Sequence, residues 1–324
     1  MSQQISRILA PTDFSPASDR AVRRAASLAS SLHAALHLIH VLPPHELLDE
    51  LFPEGAAGES AAGPEGESTA GRHGESAAGP AAEPGLRARA ERLLKDRAEQ
   101  VARRFNVTPE CTLFHGEAHQ GILEAGNSLN ASLIVFGAQG EREGSLPSQT
   151  VGDTAFKVVQ RSRIPVLLVR REPHGTYSRV MACVKAAPAD RALIEWAKRL
   201  SPADLIHVVS AYTVPYERRL IEWGASPKTL DAYARREQEA RTRRLSDLLR
   251  EFSLAAARAR LHVERGDAVP TILGHADQWQ ADLLLVGQRE QANPFAAGAI
   301  GSVARHIASL ASVDVMIIPA AGAS

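Results

Sequence analysis

Cysteine, net charge and long apolar runs are all scarce in this chain of 324 residues, and each shortage excludes a class of protein. The two cysteines, Cys111 and Cys183, stand far apart and form no CxxC pair. That rules out a disulfide framework and makes a reducing cytoplasm the expected compartment. Lys+Arg and Asp+Glu each total 37, so the formal net charge is zero. A general binder of nucleic acid or of anionic membranes needs a net basic face to collect phosphates, and none is encoded. The one local basic stripe, Arg235, Arg236, Arg241, Arg243 and Arg244, reads as a solvated helix face. No stretch approaches the roughly 18–20 apolar residues of a membrane helix. Met1 to Phe14 shows no charged segment followed by an apolar core, so no secretory leader is expected. GxxxxGK[ST], GxSxG and zinc-type Cys/His spacings are missing as well. His115 and His119 lie four apart with Glu117 between them, but Gly116 places His115 ahead of the helix, so no metal pair is expected. His40 and His207 end apolar runs and read as packed residues.

What the chain has is repetition. Leu38-Ile39-His40-Val41 recurs as Leu205-Ile206-His207-Val208, and Ala131 to Gly137 matches Ala281 to Gly287. His115-Gly116-Glu117 lines up with Arg265-Gly266-Asp267, and Ile164 to Val169 with Asp314 to Ile318. The matches come in the same order, which points to a duplicated domain. The length suits two domains of ordinary size.

Each copy alternates short apolar runs with helical patterns. In the first, strands are expected over Ile5–Pro11, Leu36–Leu42, Thr108–His115, Leu133–Gly137 and Pro165–Arg170. Helices are expected over Ser18–Leu32, Leu86–Phe105, Gln120–Asn130 and Gly152–Arg161. Leu94, Ala98, Val101 and Phe105 recur at helical steps and share one face. The strand runs are continuously apolar, which marks strands covered on both faces. The expected fold is α/β: two tandem, doubly wound, parallel five-stranded sheets of Rossmann-like type. The first domain is expected over residues 1–171 and the second over 172–324. Residues 53–85, built of Gly, Ala, Glu, Ser and Pro, repeat Gly58–Pro64 verbatim as Gly74–Pro80 and read as a disordered insertion. Arg171 to Ser178 reads as the interdomain linker.

Ligands of an open parallel sheet gather at the carboxyl ends of strands where the strand order reverses. In the first copy the loops there are Pro11-Thr12-Asp13-Phe14-Ser15 and Gly137-Ala138-Gln139-Gly140. Asp13 offers a carboxylate, the glycines let backbone N–H groups approach phosphate, and a helix near Gly152 adds its N-terminal dipole. Ile8 to Ser15, the Leu-Ile-His-Val strand and the strand ending in Gly137-x-x-Gly140 together resemble the universal stress protein family. The resemblance covers nearly the whole chain, twice. It implies ATP or a related adenine nucleotide, with Mg²⁺, as ligand. By position it implies Pro11, Thr12, Asp13 and Val41 near the adenosine, and Gly137, Gly140, Gly152 and Thr154 near phosphates and ribose.

Both copies depart from the family's G-x2-G-x9-G-[S/T] run. Gly152 comes about two residues late and is followed by Asp153, a charge like that of phosphate, with Ser148, Thr150 and Thr154 nearby as hydroxyl donors. The second copy has Gly287 but Glu290 in place of the next glycine, and Lys185 in place of the aspartate, while Gly301-Ser302-Val303 is kept. That copy reads as a degenerate site retained for its fold. Two functions follow: a nucleotide-responsive stress protein whose occupancy alters its choice of protein partner, or a scaffold forming an internal pseudo-dimer. Family members commonly pair through their last strands; Val166–Val169 and Met316–Ile318 are apolar enough to do so, and a further homodimer is open. Slow ATP hydrolysis is implied only by analogy, and no catalytic base is identifiable.

Overall fold

The computed structural model describes residues 5–44, 82–138, 151–201, 205–254, 258–288 and 300–319. Its first half runs β1 (Arg7–Pro11), α1 (Pro16–Leu32), β2 (Ala35–Leu42), α2 (Ala82–Phe105), β3 (Glu110–His115), α3 (Ala118–Ser128), β4 (Leu133–Gly137), α4 (Asp153–Arg161) and β5 (Val166–Val169). The second runs β6 (Val180–Cys183), α5 (Asp190–Leu200), β7 (Ile206–Tyr212), α6 (Glu217–Glu222), α7 (Pro227–Glu251), β8 (Ala259–Arg265), α8 (Ala268–Gln278), β9 (Leu283–Gly287), α9 (Ser302–Leu310) and β10 (Asp314–Ile318).

The strands form one ten-stranded sheet in the order β3-β2-β1-β4-β5-β10-β9-β6-β7-β8. Within each half every pair is parallel. The halves meet where β5 and β10 pair antiparallel, Leu168 opposite Val315 and Val166 opposite Ile317. The two apolar last strands thus cover each other's edges, removing two open templates for association. One core lies on each face of the sheet: Val22, Leu94, Leu193 and Leu245 belong to one, and Ile122, Val158, Ile272 and Ile307 to the other.

Local chemistry sets the element ends. Helix α1 begins at Pro16, earlier than the apolar pattern indicates, because Ser15 caps it: the Ser18 amide donates to Ser15 Oγ at 3.2 Å and Pro16 fills the first turn. His33, in the left-handed region at φ 53°, ends it. Helix α2 begins at Ala82, so the insertion read over 53–85 is too long: 82–85 are helical, and 53–81 lie outside the described residues.

The pairing also corrects the repeat. Leu9 sits beside His37 and Ile134, and its counterpart Met181 sits beside His207 and Leu284. His37 therefore answers to His207, and His40 to Ser210. The literal Leu-Ile-His-Val match is out of register, because fully buried strands draw on so few residue types that short apolar words recur by composition.

The linker is packed. Tyr177 is buried, and its hydroxyl donates to Asp314 Oδ2 at 2.6 Å. Asp314, fully buried on β10, also accepts the Arg170 and Arg171 amides at 2.8 and 3.1 Å and lies 3.4 Å from Arg24 Nε. Arg24 reaches from α1 over the Tyr177 ring, 4.2 Å from its centroid, and donates to the Gly175 carbonyl.

Candidate functional site

At the carboxyl ends of β1 and β4, where the strand order reverses in the first half, lies a cleft of about 220 Å³. Seven sequence-picked residues meet there: Pro11, Thr12, Asp13, Val41, Gly137, Gly152 and Thr154. Gly140 lies outside the described residues, as do Ser148 and Thr150.

The β1–α1 loop holds its shape through its own side chains. Thr12 N donates to the Ile39 carbonyl at 2.8 Å, extending the ladder by one bond. Thr12 Oγ1 accepts the Phe14 amide at 3.0 Å and lies 3.1 Å from Ser18 Oγ. Phe14 adopts φ 64°, and the next amide, Ser15 N, donates to Asp13 Oδ1 at 3.0 Å. Asp13 is open to solvent at the mouth. The surrounding protein desolvates its carboxyl and pushes its pKa up, but hydrogen bonds from the Ser15 and Ser18 hydroxyls and from loop amides outweigh this and hold it below the usual carboxylate value. Asp13 is thus a fixed anion with an outward face.

His40, from β2, donates Nδ1–H to the Thr12 carbonyl at 2.7 Å and packs against Phe14 with ring centroids 4.6 Å apart. It braces the loop from the cleft side. Ile39, Ile122 and Phe136 supply apolar wall, while Ser15 and Ser18 supply hydroxyls. Sequence reasoning missed these two serines as site residues. The signal was there: a serine followed by proline at a helix start is a capping pattern.

Gly137 has a structural duty. A Cβ there would lie 2.5 Å from both the carbonyl carbon and oxygen of Ala17, so β4 and the first turn of α1 could not approach as they do. Gly152 is the N-cap of α4, with unremarkable φ of −58°, and Asp153 opens that helix. A carboxylate in a first turn is favoured by the helix dipole, and Asp153 pairs with Lys157 at 2.8 Å. The same carboxylate occupies electrically the helix end where a phosphate would be drawn.

The second half repeats the frame with other contents. Val184 N donates to the Val209 carbonyl at 2.8 Å, and Ala186 takes φ 61°, matching Thr12 and Phe14. Lys185 therefore stands where Asp13 stands. Its amide donates to both carboxylate oxygens of Asp190 at 3.1 Å, and Ala187 N donates to one at 2.8 Å. Asp190 is buried; desolvation pushes its pKa up against those backbone bonds. The loop amides are spent on the protein itself, and Arg241 donates to the Lys185 carbonyl. Gly287 is not under steric demand: its nearest neighbour to an added Cβ is Leu193 Cδ1 at 3.7 Å. Gly301 caps α9, with Ser302 and Val303 in its first turn, and Glu290 lies outside the described residues.

His115 ends β3 and His119 lies in the first turn of α3, so the two share no helix face. The described residues contain no group of three or more His, Cys, Asp or Glu able to hold a metal. Among the same residues no helix is long and apolar enough to cross a membrane.

The frame has relatives. A universal stress protein from Archaeoglobus fulgidus DSM 4304 superposes with a TM-score of 0.63 at 15% identity, covering 98% of this chain and 100% of that one. A functionally unknown protein from Pseudomonas aeruginosa PAO1 superposes at 0.58 and 16% identity, covering 98% and 93%. At such identities the likeness is one of fold. No curated protein sequence matches the chain. The family model described as the universal stress protein family matches twice, over residues 4–170 and 176–319. With nearly its whole length accounted for in two successive matches, the chain belongs to the universal stress protein family.

Proposed function

We propose that this protein is a cytoplasmic stress-response protein of two domains, 1–171 and 172–324, whose first domain binds ATP or a related adenine nucleotide with Mg²⁺. The observation that carries the reading is the convergence of Thr12, Asp13, Val41, Gly152 and Thr154 on one cleft at the switch point of the sheet. The residues suit a nucleoside: Val41, Ile122 and Phe136 give a base an apolar wall, and Asp13 is a fixed anion able to accept hydrogen bonds from it or from ribose. They suit a triphosphate less well, because Asp153 stands at the helix end that would receive it. The nucleoside part then carries most of the affinity. Domain two is the degenerate partner, with Lys185 in the aspartate position, its amide held by the buried Asp190.

Isothermal titration of the full chain with ATP and Mg²⁺ tests the reading. Binding by the wild type that weakens at least about tenfold in Asp13→Ala supports it; no binding, or binding unchanged by that substitution, overturns it.

A second reading has its own support. The antiparallel pairing of β5 with β10 supports an internal pseudo-dimer acting as a scaffold for unidentified protein partners. Nucleotide found in an acid extract of the purified protein would count against a purely structural role.

A further inference from the structure

The cleft between α6 and α7 lies in the second half, away from the β1/β4 site. It encloses about 740 Å³, within the range of small-molecule pockets. Tyr216, Leu220, Trp223 and Tyr233 form its apolar wall. Tyr216 and Trp223 are 70% and 77% exposed. Aromatic surface of this size left in water and gathered in a concavity marks a place where something binds.

The rim is cationic. Arg219, Lys228 and Arg236 line the groove, all exposed, and among the described residues no acidic side chain lines it. None of the three has an ion-pair partner among the described residues. The acids of α6 are engaged elsewhere: Glu217 with Arg265, and Glu222 with Arg218. The groove is also pre-formed. Gly224, at φ 81°, turns the chain between the helices. The Gly224 and Ala225 amides close α6 on the Ile221 and Leu220 carbonyls, each at 2.9 Å, and Ser226 caps α7. The angle between the helices is therefore set by backbone hydrogen bonds rather than by a ligand.

An apolar wall beneath three unneutralised cations complements a molecule with an apolar body and one anionic head. The concavity is confined to the short α6 and the start of α7, small beside the roughly 800 Å² that each partner gives to a stable protein interface. We propose that this groove binds a small amphipathic carboxylate of the fatty-acid class, its chain against Tyr216, Trp223 and Tyr233 and its head among Arg219, Lys228 and Arg236. Guanidinium groups match a carboxylate with paired N–H donors, so the head adds specificity to the affinity gained by burying the chain. The site is independent of the nucleotide reading.

The test uses the full chain and follows indole fluorescence, Trp223 being the exposed tryptophan. Decanoate is titrated below its micelle concentration beside decanol and decyltrimethylammonium, chain-matched probes with a neutral and a cationic head. Saturable binding with a blue shift, about tenfold tighter for decanoate than for either control, is the expected result. The triple variant Arg219→Gln, Lys228→Gln, Arg236→Gln is expected to weaken decanoate binding about tenfold while leaving decanol unchanged. Trp223→Ala, followed by calorimetry, weakens both. Equal binding of the three probes, or decanoate binding untouched by the triple variant, overturns the proposal. So does binding to phosphatidylglycerol vesicles without any to monomeric decanoate.

Discussion

Tyr177 and Asp314 lie 137 positions apart, yet the Tyr177 hydroxyl donates to the Asp314 carboxylate at 2.6 Å in a seam closed to water. The linker tyrosine belongs to the core, and burial, with the Asp314 charge beside it, pushes its hydroxyl pKa well above the ordinary tyrosine value. A buried carboxylate is tolerable only with its partners complete. Asp314→Ala strands Arg24 and two backbone amides and is expected to cost about 3–5 kcal/mol. Tyr177→Phe removes one donor and is expected to cost about 1–3 kcal/mol. Urea unfolding of both variants checks the order; equal midpoints to wild type would mean the seam is not a structural centre.

Gly137 and Gly287 occupy equivalent strand ends but meet different neighbours. Gly137→Ala drives a methyl into the Ala17 backbone and is expected to destabilise by about 1–3 kcal/mol or to shift α1. Gly287→Ala meets, among the described residues, only Leu193 at ordinary contact distance and is expected to be near neutral. Thermal unfolding without nucleotide separates this packing role from a ligand-binding one.

Asp153 is expected to oppose phosphate. Asp153→Ser removes that charge from the first turn of α4 and, for an exposed group, is expected to tighten ATP binding about fivefold. Calorimetry showing weaker binding would place the carboxylate on the ligand's side, for instance through Mg²⁺.

Acid is expected to destabilise the fold earlier than carboxylate titration alone would. His37 is buried; desolvation lowers its pKa despite its hydrogen bond to Glu110. His207 and His262 are gathered with His275 about Trp279 and are lowered too: His207 first by burial and then by His262, Arg260 and His275, and His262 first by burial and then by His275 and Arg260, with Glu264 pulling the other way. The sign follows from linkage: the unfolded chain takes up protons from about pH 6.5 downward while the folded one resists. Stability is full above that pH and falls through it toward the depressed folded values. Unfolding midpoints between pH 7.5 and 5.5 should decline, and less so in His207→Gln/His262→Gln.

The two thiols are expected to separate. Cys183 is buried, and burial pushes its thiol pKa up to about 12, so it holds little thiolate at neutral pH. Cys111 is exposed. A thiol reagent should label one cysteine of the native protein and both after unfolding; two fast native reactions would contradict the packing around Cys183.

The fold was legible because its signals are periodic. Continuous apolar runs mark doubly covered strands, and β4 begins and ends where they do. The β1–α1 loop was legible because Asp13 closely follows an apolar strand run and precedes a helical one, although the Ser15 cap that starts the helix at Pro16 was not read. Other features depend on what lies opposite in space. The repeated Leu-Ile-His-Val word misaligned β2 and β7, since register is set by neighbouring strands and not by spelling. The packing duty of Gly137 is invisible in the sequence, since it depends on Ala17 of another element lying against it. The α6–α7 groove was hidden because Arg219, Lys228 and Arg236 lie along two helices whose angle is set by the turn at Gly224.

Antiparallel pairing at β5 and β10 turns the two half-sheets head to tail, so the mouth holding Asp13 and the one holding Lys185 open toward opposite ends of the molecule. Two identical chains joined at such a seam would be bivalent, with interchangeable ends. Duplication within one chain releases the halves from that equality, and divergence at Asp13 and Lys185 gives the molecule a front and a back. Among the described residues the two half-sheets join at three paired positions, where Val166, Leu167 and Leu168 face Ile317, Met316 and Val315, so the front and the back share one seam.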